Sequence, residues 1–254
     1  MNIKWPIADD VSDLSALSGT DVHIWAFPLR VSAERLQQLR ALLTPDEIAK
    51  ADRIVVPVKC EQSAVSRGTA RTLLAAYTGA AASDLRFTYG EKGRPYLDCS
   101  GLDGVGSNLA FNVSHSGDLG VIALTREGEL GVDVEELDGK IDLIGIGRRF
   151  FSTIEHADLS SQTGDARTEA FFRAWTRKES YLKARGMGLA LPLDGFDVTL
   201  LPDQEPRILE TRFDPGDAAR WTLTELDPCD GYAGALCADL GPRQIQTRTL
   251  PRAL

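Results

Sequence analysis

Apolar positions recur along this chain with two periods, and the period changes with position. DVHIWAFPL (Asp21 to Leu29) sets Val22, Ile24 and Ala26 two apart, the alternation of a β-strand. From about Ser32 to Leu43, Leu36, Leu39 and Leu43 fall at helical spacing. A new helix start follows at Thr44-Pro45-Asp46-Glu47, where Thr44 suits the N-cap and Pro45 the first helical position. A third helix is expected from Glu61 to Tyr77, carrying Val65, Leu73, Leu74 and Tyr77. The texture then shortens: LRFTYG, a turn at Glu91 to Pro95, FNVSHSG and LGVIALT read as short strands joined by tight loops. GELGVDVEEL (Gly128 to Leu137) opens a second round of the same kind. Its long helix spans about Ala166 to Arg185, with Phe171, Phe172, Trp175 and Leu182 on the apolar side, and Gly186-Met187-Gly188 closes it. Strands FDVTLL, RWTLTEL and YAGALCADL follow. The repetition predicts an α+β protein of two similar lobes, residues 1–128 and 129–254, with the boundary near Glu127 to Gly131.

Composition narrows the function. Hydrophobic residues make up 43% of the 254, enough for a sizeable core and too many for a disordered chain. The formal charge of -9 argues against nucleic acid as a partner but leaves room for a local basic pocket. MNIKWPIADDVSDLSALSG has no long apolar core, so neither a signal peptide nor an anchor is expected there. No run of 18 apolar residues suggests a membrane span. Cys60, Cys99, Cys229 and Cys237 form no CxxC pair and stand at no zinc spacing, so they read as reduced thiols of a cytoplasmic protein.

Candidate chemistry gathers in three places. In GVDVEE, Asp133 and Glu135 point to one face of a strand while Val132 and Val134 point to the other, an arrangement that suits a hard divalent cation. In AWTRKESYLKARG, Trp175, Glu179 and Lys183 share a helical face; Glu179 is a third oxygen ligand in waiting and Lys183 a partner for phosphate. In FNVSHSGDLG, Asn112, Ser114 and His115 offer polar groups to an anion. His23 and His156 read as structural. Further basic candidates are Lys50, Arg53, Arg67, Arg71, Lys92 and Arg94, with Arg67 and Arg71 one helical turn apart and able to grip a phosphate together. No GxSxG elbow, Walker loop or GxGxxG is present. Together these residues suggest a magnesium site beside phosphate-binding cations, acting on a pyrophosphate-like substrate.

FNVSHSG, GVDVEE, RRFFSTIEHADL and FFRAWTRKESYLKARGMGLALPLDGF, in this order and at these spacings, resemble the Sfp-type 4′-phosphopantetheinyl transferases. The resemblance runs from about Leu43 to Val198. It implies a pseudo-twofold pair of α/β lobes that binds coenzyme A and Mg2+ (or Mn2+) in the cleft between them. The phosphopantetheine arm would pass to a serine of an apo acyl or peptidyl carrier protein, releasing adenosine 3′,5′-bisphosphate. On this resemblance Asp133, Glu135 and Glu179 are the metal ligands, and Glu155 or Glu179 is the general base, although Glu155 also suits a helix-capping role. Lys183 meets the pyrophosphate, and Arg67 and Lys50 grip the 3′-phosphate. Gly93, Arg94 and Pro95 line the adenine, and Ser114 and His115 complete the phosphate pocket.

Two departures stand out. Glu47 occupies a position where some relatives carry a basic residue, and Arg53-Ile54 replaces an arginine-phenylalanine run. The doubled chain suggests a monomer. Carrier proteins are commonly acidic, so an acidic enzyme is expected to dock them through an apolar patch beside the cleft, aided by local basic residues. Two rival readings are a catalytically silent coenzyme A-binding regulator on the same fold and a metal-dependent pyrophosphatase or phosphodiesterase using the same carboxylates.

Overall fold

Strand β1 (Val22–Pro28) is buried along both faces. Val22, Ile24 and Ala26 enter one apolar layer, while Trp25 and Phe27 enter another. This strand divides the N-terminal lobe, as expected of a strand covered on both sides. The computed structural model containing it describes residues 1–7, 17–19, 21–100, 108–188, 191–239, 241 and 244–250. Leu189 and Ala190 of the long helix motif and Leu240 of the last anticipated strand lie outside the described residues.

The helix starts follow their capping residues. Ser32 Oγ accepts from the Arg35 N–H at the start of α1 (Ala33–Ala41). Thr44 and Glu47 form a reciprocal capping box, with Pro45 in the first turn, at the start of α2 (Pro45–Asp52). Helix α3 (Pro57–Thr78) begins a turn earlier than expected because Pro57 suits the first helical position. Its N-cap, Val56, makes no side-chain capping bond, a choice that costs about 1 kcal/mol against serine or threonine.

Two hairpins complete this lobe: β2 (Phe87–Tyr89) with β3 (Pro95–Leu97), and β4 (Ala110–Ser116) with β5 (Leu119–Thr125). The second half brings β6 (Leu130–Glu136), α4 (Leu143–Phe150), α5 (Thr153–Ser161) and α6 (Gly164–Arg185). Then follow β7 (Phe196–Val198), β8 (Ile208–Thr211), α7 (Asp217–Arg220), β9 (Thr222–Leu226), β10 (Tyr232–Ala238) and β11 (Ile245–Thr249).

Two principal sheets have the orders β11-β1-β5-β4 and β6-β10-β9. They face each other across a shared layer of Ile24, Val121, Val132, Val134 and Leu236. Helices α1 and α3 cover the outer face of the first sheet, and α6 covers that of the second. The doubling extends to the long helices: α3 and α6 each have 22 residues and each ends on a glycine in the left-handed region, Gly79 and Gly186.

Strand β11 was not anticipated, nor were β8 and α4. It pairs parallel to β1, so the C-terminal segment adds an edge to the N-terminal sheet. In return, the Lys4 N–H donates to Pro228 O, and Ile3 bridges to Cys229. Both chain ends thus cross the division at residue 128. Among the described residues no helix is long and apolar enough to cross a membrane. All four cysteines are free.

Candidate active site

Strands β4 and β6 run side by side without sharing a backbone ladder. Side chains from alternate positions of β4 join them instead. Asn112 Oδ1 accepts from the Val132 N–H at 2.9 Å, Ser114 Oγ from Val134 at 3.3 Å, and Ser116 Oγ from Glu136 at 3.1 Å. The period of two on both strands lets each polar side chain meet a free edge N–H. This comb is the seam between the lobes, and the carboxylates singled out in the sequence stand on it.

Val132 and Val134 of β6 enter the inter-sheet layer, so Asp133 and Glu135 turn to the opposite face, toward α6. Helix α6 approaches that face closely because residue 131 is glycine. A Cβ there would lie 2.2 Å from Ser180 O and 2.3 Å from Ala184 N. The contact brings Lys183 onto Asp133: Nζ lies 2.6 Å from Asp133 Oδ1 and donates to Ser114 Oγ at 2.9 Å and Val132 O at 3.2 Å. Ser114 Oγ donates in turn to Asp133 Oδ1 at 2.8 Å, and Ser116 Oγ donates to Glu135 Oε2 at 2.6 Å.

The electrostatics mark this as a place where negative charge is crowded. Burial, then the charge of Asp133, pushes both Glu135 and Glu179 above the usual carboxylate range; Ser116 and Lys183 only partly offset this at Glu135. Asp133 Oδ2 is buried with no hydrogen-bond partner. An orphaned carboxylate oxygen on an acid whose charge raises two neighbouring acids is part of a donor set suited to a hard divalent cation. Among the described residues, no three His, Cys, Asp or Glu side chains already stand as a formed metal-holding group.

The other face of β4 lines a separate cleft of about 250 Å³. His115 and Val113 meet Lys50 and Ala51 of α2, Ser63, Ser66 and Arg67 of α3, and Pro95 of the β2–β3 hairpin there. Arg67 is held in place: Nε pairs with Glu47 at 2.8 Å and Nη2 donates to Tyr89 OH at 2.5 Å. Lys50 Nζ sits 4.3 Å above the Tyr89 ring. His115 is exposed, yet the surrounding protein and then the ammonium groups of Lys183 and Lys59 hold its imidazolium below its ordinary pKa. One strand therefore presents its serines to the seam and its histidine to the cleft.

Several expectations change at this level. Arg71 does not join Arg67 in an open phosphate grip. It is 1% exposed and donates to Glu47 at 2.9 Å and to the carbonyls of Ala82 and Leu85. Glu47 thus organises two arginines. Burial pushes its carboxyl up, but Arg71, the Thr44 N–H and Arg67 outweigh that and lower it. Arg94 turns away from the cleft, where only Pro95 of its triplet is a lining residue. Its guanidinium caps the end of α6 through Lys183 O (2.7 Å) and Ala184 O (2.8 Å), reaches Leu130 O and pairs with Glu129. Gly93 supplies the turn, at a φ of 83°.

Glu155 takes the capping role. It is 1% exposed; Oε2 accepts from the Ser152 N–H, and Oε1 accepts from Val198 N and pairs with the buried Lys178 at 2.8 Å. As placed, it offers no free oxygen to an incoming hydroxyl. Three residues escaped the sequence reading: Gly131 and Ser116, whose importance lies in contacts with distant segments, and Arg94 in its capping role. Of these, only Gly131 left a local trace, a glycine inside a strand.

Comparisons with known proteins cover most of the chain. The sequence profile of the 4′-phosphopantetheinyl transferase superfamily matches residues 129–237, and that of the 4′-phosphopantetheinyl transferase N-terminal region matches residues 30–127. The chain is 36% identical to 4′-phosphopantetheinyl transferase HetI of Nostoc sp. strain PCC 7120, over 87% of this chain and 88% of that one. It is 30% identical to 4′-phosphopantetheinyl transferase Sfp of Bacillus subtilis strain 168, over 82% and 87%. A solved holo-[acyl-carrier-protein] synthase from Thermotoga maritima aligns with 46% of this chain and 63% of its own, at 19% identity and a TM-score of 0.37.

Proposed function

The chain belongs to the 4′-phosphopantetheinyl transferase superfamily, and we propose that its two lobes divide the transfer between them. The reaction takes the phosphopantetheine arm of coenzyme A to an apo carrier protein. In the proposed division the N-terminal lobe holds the nucleotide. Arg67, aimed by Glu47 and Tyr89, meets the 3′-phosphate together with Lys50, while Pro95 and His115 line the rest of the cleft. The seam holds the reacting diphosphate. Lys183, already 2.6 Å from Asp133, supplies a positive charge to it.

Asp133, Glu135 and Glu179 would hold magnesium. The observation that carries this is the buried, unpartnered Asp133 Oδ2, whose carboxylate charge raises both Glu135 and Glu179. When bound there, magnesium supplies charge against the diphosphate and its leaving group. The carrier serine oxygen attacks the phosphorus, the bond to the nucleotide phosphate breaks, and adenosine 3′,5′-bisphosphate departs. Glu179 takes the hydroxyl proton in this reading, since Glu155 is sealed in the interior. A monomer in the cytoplasm is part of the same proposal, the monomer supported by the doubling of the lobe within one chain.

Intact-mass spectrometry of an apo acyl carrier protein and an apo peptidyl carrier protein tests it. Each is incubated with the enzyme, coenzyme A and magnesium. A gain of one phosphopantetheine, lost with EDTA and with Asp133→Ala, is expected. A gain that survives both would remove the metal reading. Hydrolysis of coenzyme A without any gain would favour the pyrophosphatase alternative.

A further inference from the structure

From the end of α2 into the first turn of α3 the chain reads Arg53-Ile54-Val55-Val56-Pro57-Val58-Lys59. Four aliphatic side chains in this stretch face solvent, and Val55 is 93% exposed. Elsewhere the described large apolar residues that reach solvent, such as Ile154 and Leu209, are separated along the chain. The stretch also breaks a local rule, because Val56 stands as N-cap of a 22-residue helix without any side-chain capping bond. The nucleotide cleft uses none of these valines, and Val55 and Val56 take no part in the core. A run that violates both burial and capping preferences points to a role outside the chain's own packing.

Its surroundings indicate what covers it. The run joins the two helices that supply Lys50, Ala51, Ser63, Ser66 and Arg67 to the nucleotide cleft, and Arg53 lines a groove that shares Glu47 and Lys50 with it. Cations rim the run: Arg53 lines the neighbouring groove with Lys50 and Arg86, and Lys59 lies near enough to His115 to lower its basicity. Among the described residues neither Arg53 nor Lys59 has an ion-pair partner, whereas the adjacent Asp52 is paired with Arg40 at 2.9 Å. In a chain of net charge -9, Arg53 and Lys59 flank an apolar centre as unpaired cations, although the exposed Glu61 follows one helical turn after Val58.

We propose that Ile54, Val55, Val56 and Val58, rimmed by Arg53 and Lys59, form the docking surface for an apolar, acid-rimmed face of the carrier protein beside its acceptor serine. The proposal rests on the carrier-transfer reading of the cleft. It assigns the carrier an approach from the α2–α3 side. A second copy of this chain is disfavoured as occupant, because the same cations would meet each other.

The test is steady-state kinetics with an apo acyl carrier protein and an apo peptidyl carrier protein, comparing the native chain with Val55→Glu and with Leu209→Glu as a remote control. Val55 makes almost no contact with its own chain, so folding should be unaffected, and a melting curve checks this. Expected for Val55→Glu is a rise in KM for the carrier of tenfold or more, with KM for coenzyme A and coenzyme A affinity by calorimetry unchanged. An unchanged carrier KM overturns the proposal. So does an equal rise from Leu209→Glu, or a native dimer that Val55→Glu dissolves. If the native chain modifies neither carrier yet binds coenzyme A, the transfer reading itself has failed and this surface falls with it. If the native chain modifies them and Val55→Glu does so equally well, only the surface is lost.

Discussion

Gly131→Ala adds one methyl group at the point where α6 lies on β6. That carbon would sit 2.2 Å from Ser180 O and 2.3 Å from Ala184 N, both backbone atoms that no side-chain rotation can move aside. Relief requires α6 to recede by about 1 Å, and overpacking of this kind costs about 2–3 kcal/mol, the upper part of the usual range. For a chain of this size the melting temperature should fall by roughly 5–10 °C. The same displacement draws Lys183 and Glu179 away from Asp133. A shift of about 1 Å at a reacting centre is worth on the order of a hundredfold in rate. Coenzyme A affinity should fall far less than turnover, because Lys50, Arg67 and His115 stand on other elements and only the Lys183 contact to the diphosphate moves. Gly79→Ala is the control. It strains a left-handed helix end (φ 74°) with nothing within 4 Å of the new carbon, so it should lower stability and leave turnover alone. Melting curves, calorimetry with coenzyme A and single-turnover mass spectrometry read the three quantities. Native stability and turnover in Gly131→Ala would refute the claim that this contact sets the site.

Other outcomes follow from the same contacts. Arg94→Lys keeps the charge but loses the planar fork onto Lys183 O, Ala184 O and Leu130 O, and should cost about 1–3 kcal/mol by chemical denaturation. Glu155→Gln leaves Lys178 unpaired in the interior and should destabilise by about 3–5 kcal/mol while turnover per folded molecule stays near native; a stable but inactive variant would restore Glu155 as the base. His23, fully buried, has its pKa lowered to about 4, by burial first and then by Arg248. The unfolded chain therefore binds the proton more tightly, and stability present above about pH 6.5 drains away down to about pH 4, by roughly 3 kcal/mol in all. Denaturation midpoints in His23→Asn should be flatter across that window; an unchanged slope would count against His23 as the source.

What the sequence made legible was local. A period of two placed Asp133 and Glu135 on one face of β6, opposite the valines, and a period of four placed Glu179 and Lys183 together on α6. Ser32 and Thr44 announced their helices through capping chemistry that lies within a few residues. What stayed hidden depends on segments distant in sequence. Arg71 and Arg67 look alike on one helix, yet one guanidinium meets Ala82 and Leu85 and is sealed while the other faces the cleft. Arg94 reaches the end of a helix about 90 residues away. Strand β11 carries IQTRT, too polar and too short to announce itself, and forms because β1 offers it a parallel edge. Glu155 satisfied two descriptions from sequence, and only burial beside Lys178 separated them.

Manganese titration followed by electron paramagnetic resonance, in the presence of coenzyme A, tests the central claim without depending on turnover. The claim is that Asp133, Glu135 and Glu179 at the lobe seam make one cation site. The native chain should bind one ion. Asp133→Asn, Glu135→Gln and Glu179→Gln should each weaken that binding by about tenfold or more, in line with roughly 1.4 kcal/mol or more per lost charged ligand. Equal binding in the native chain and all three variants would contradict the account.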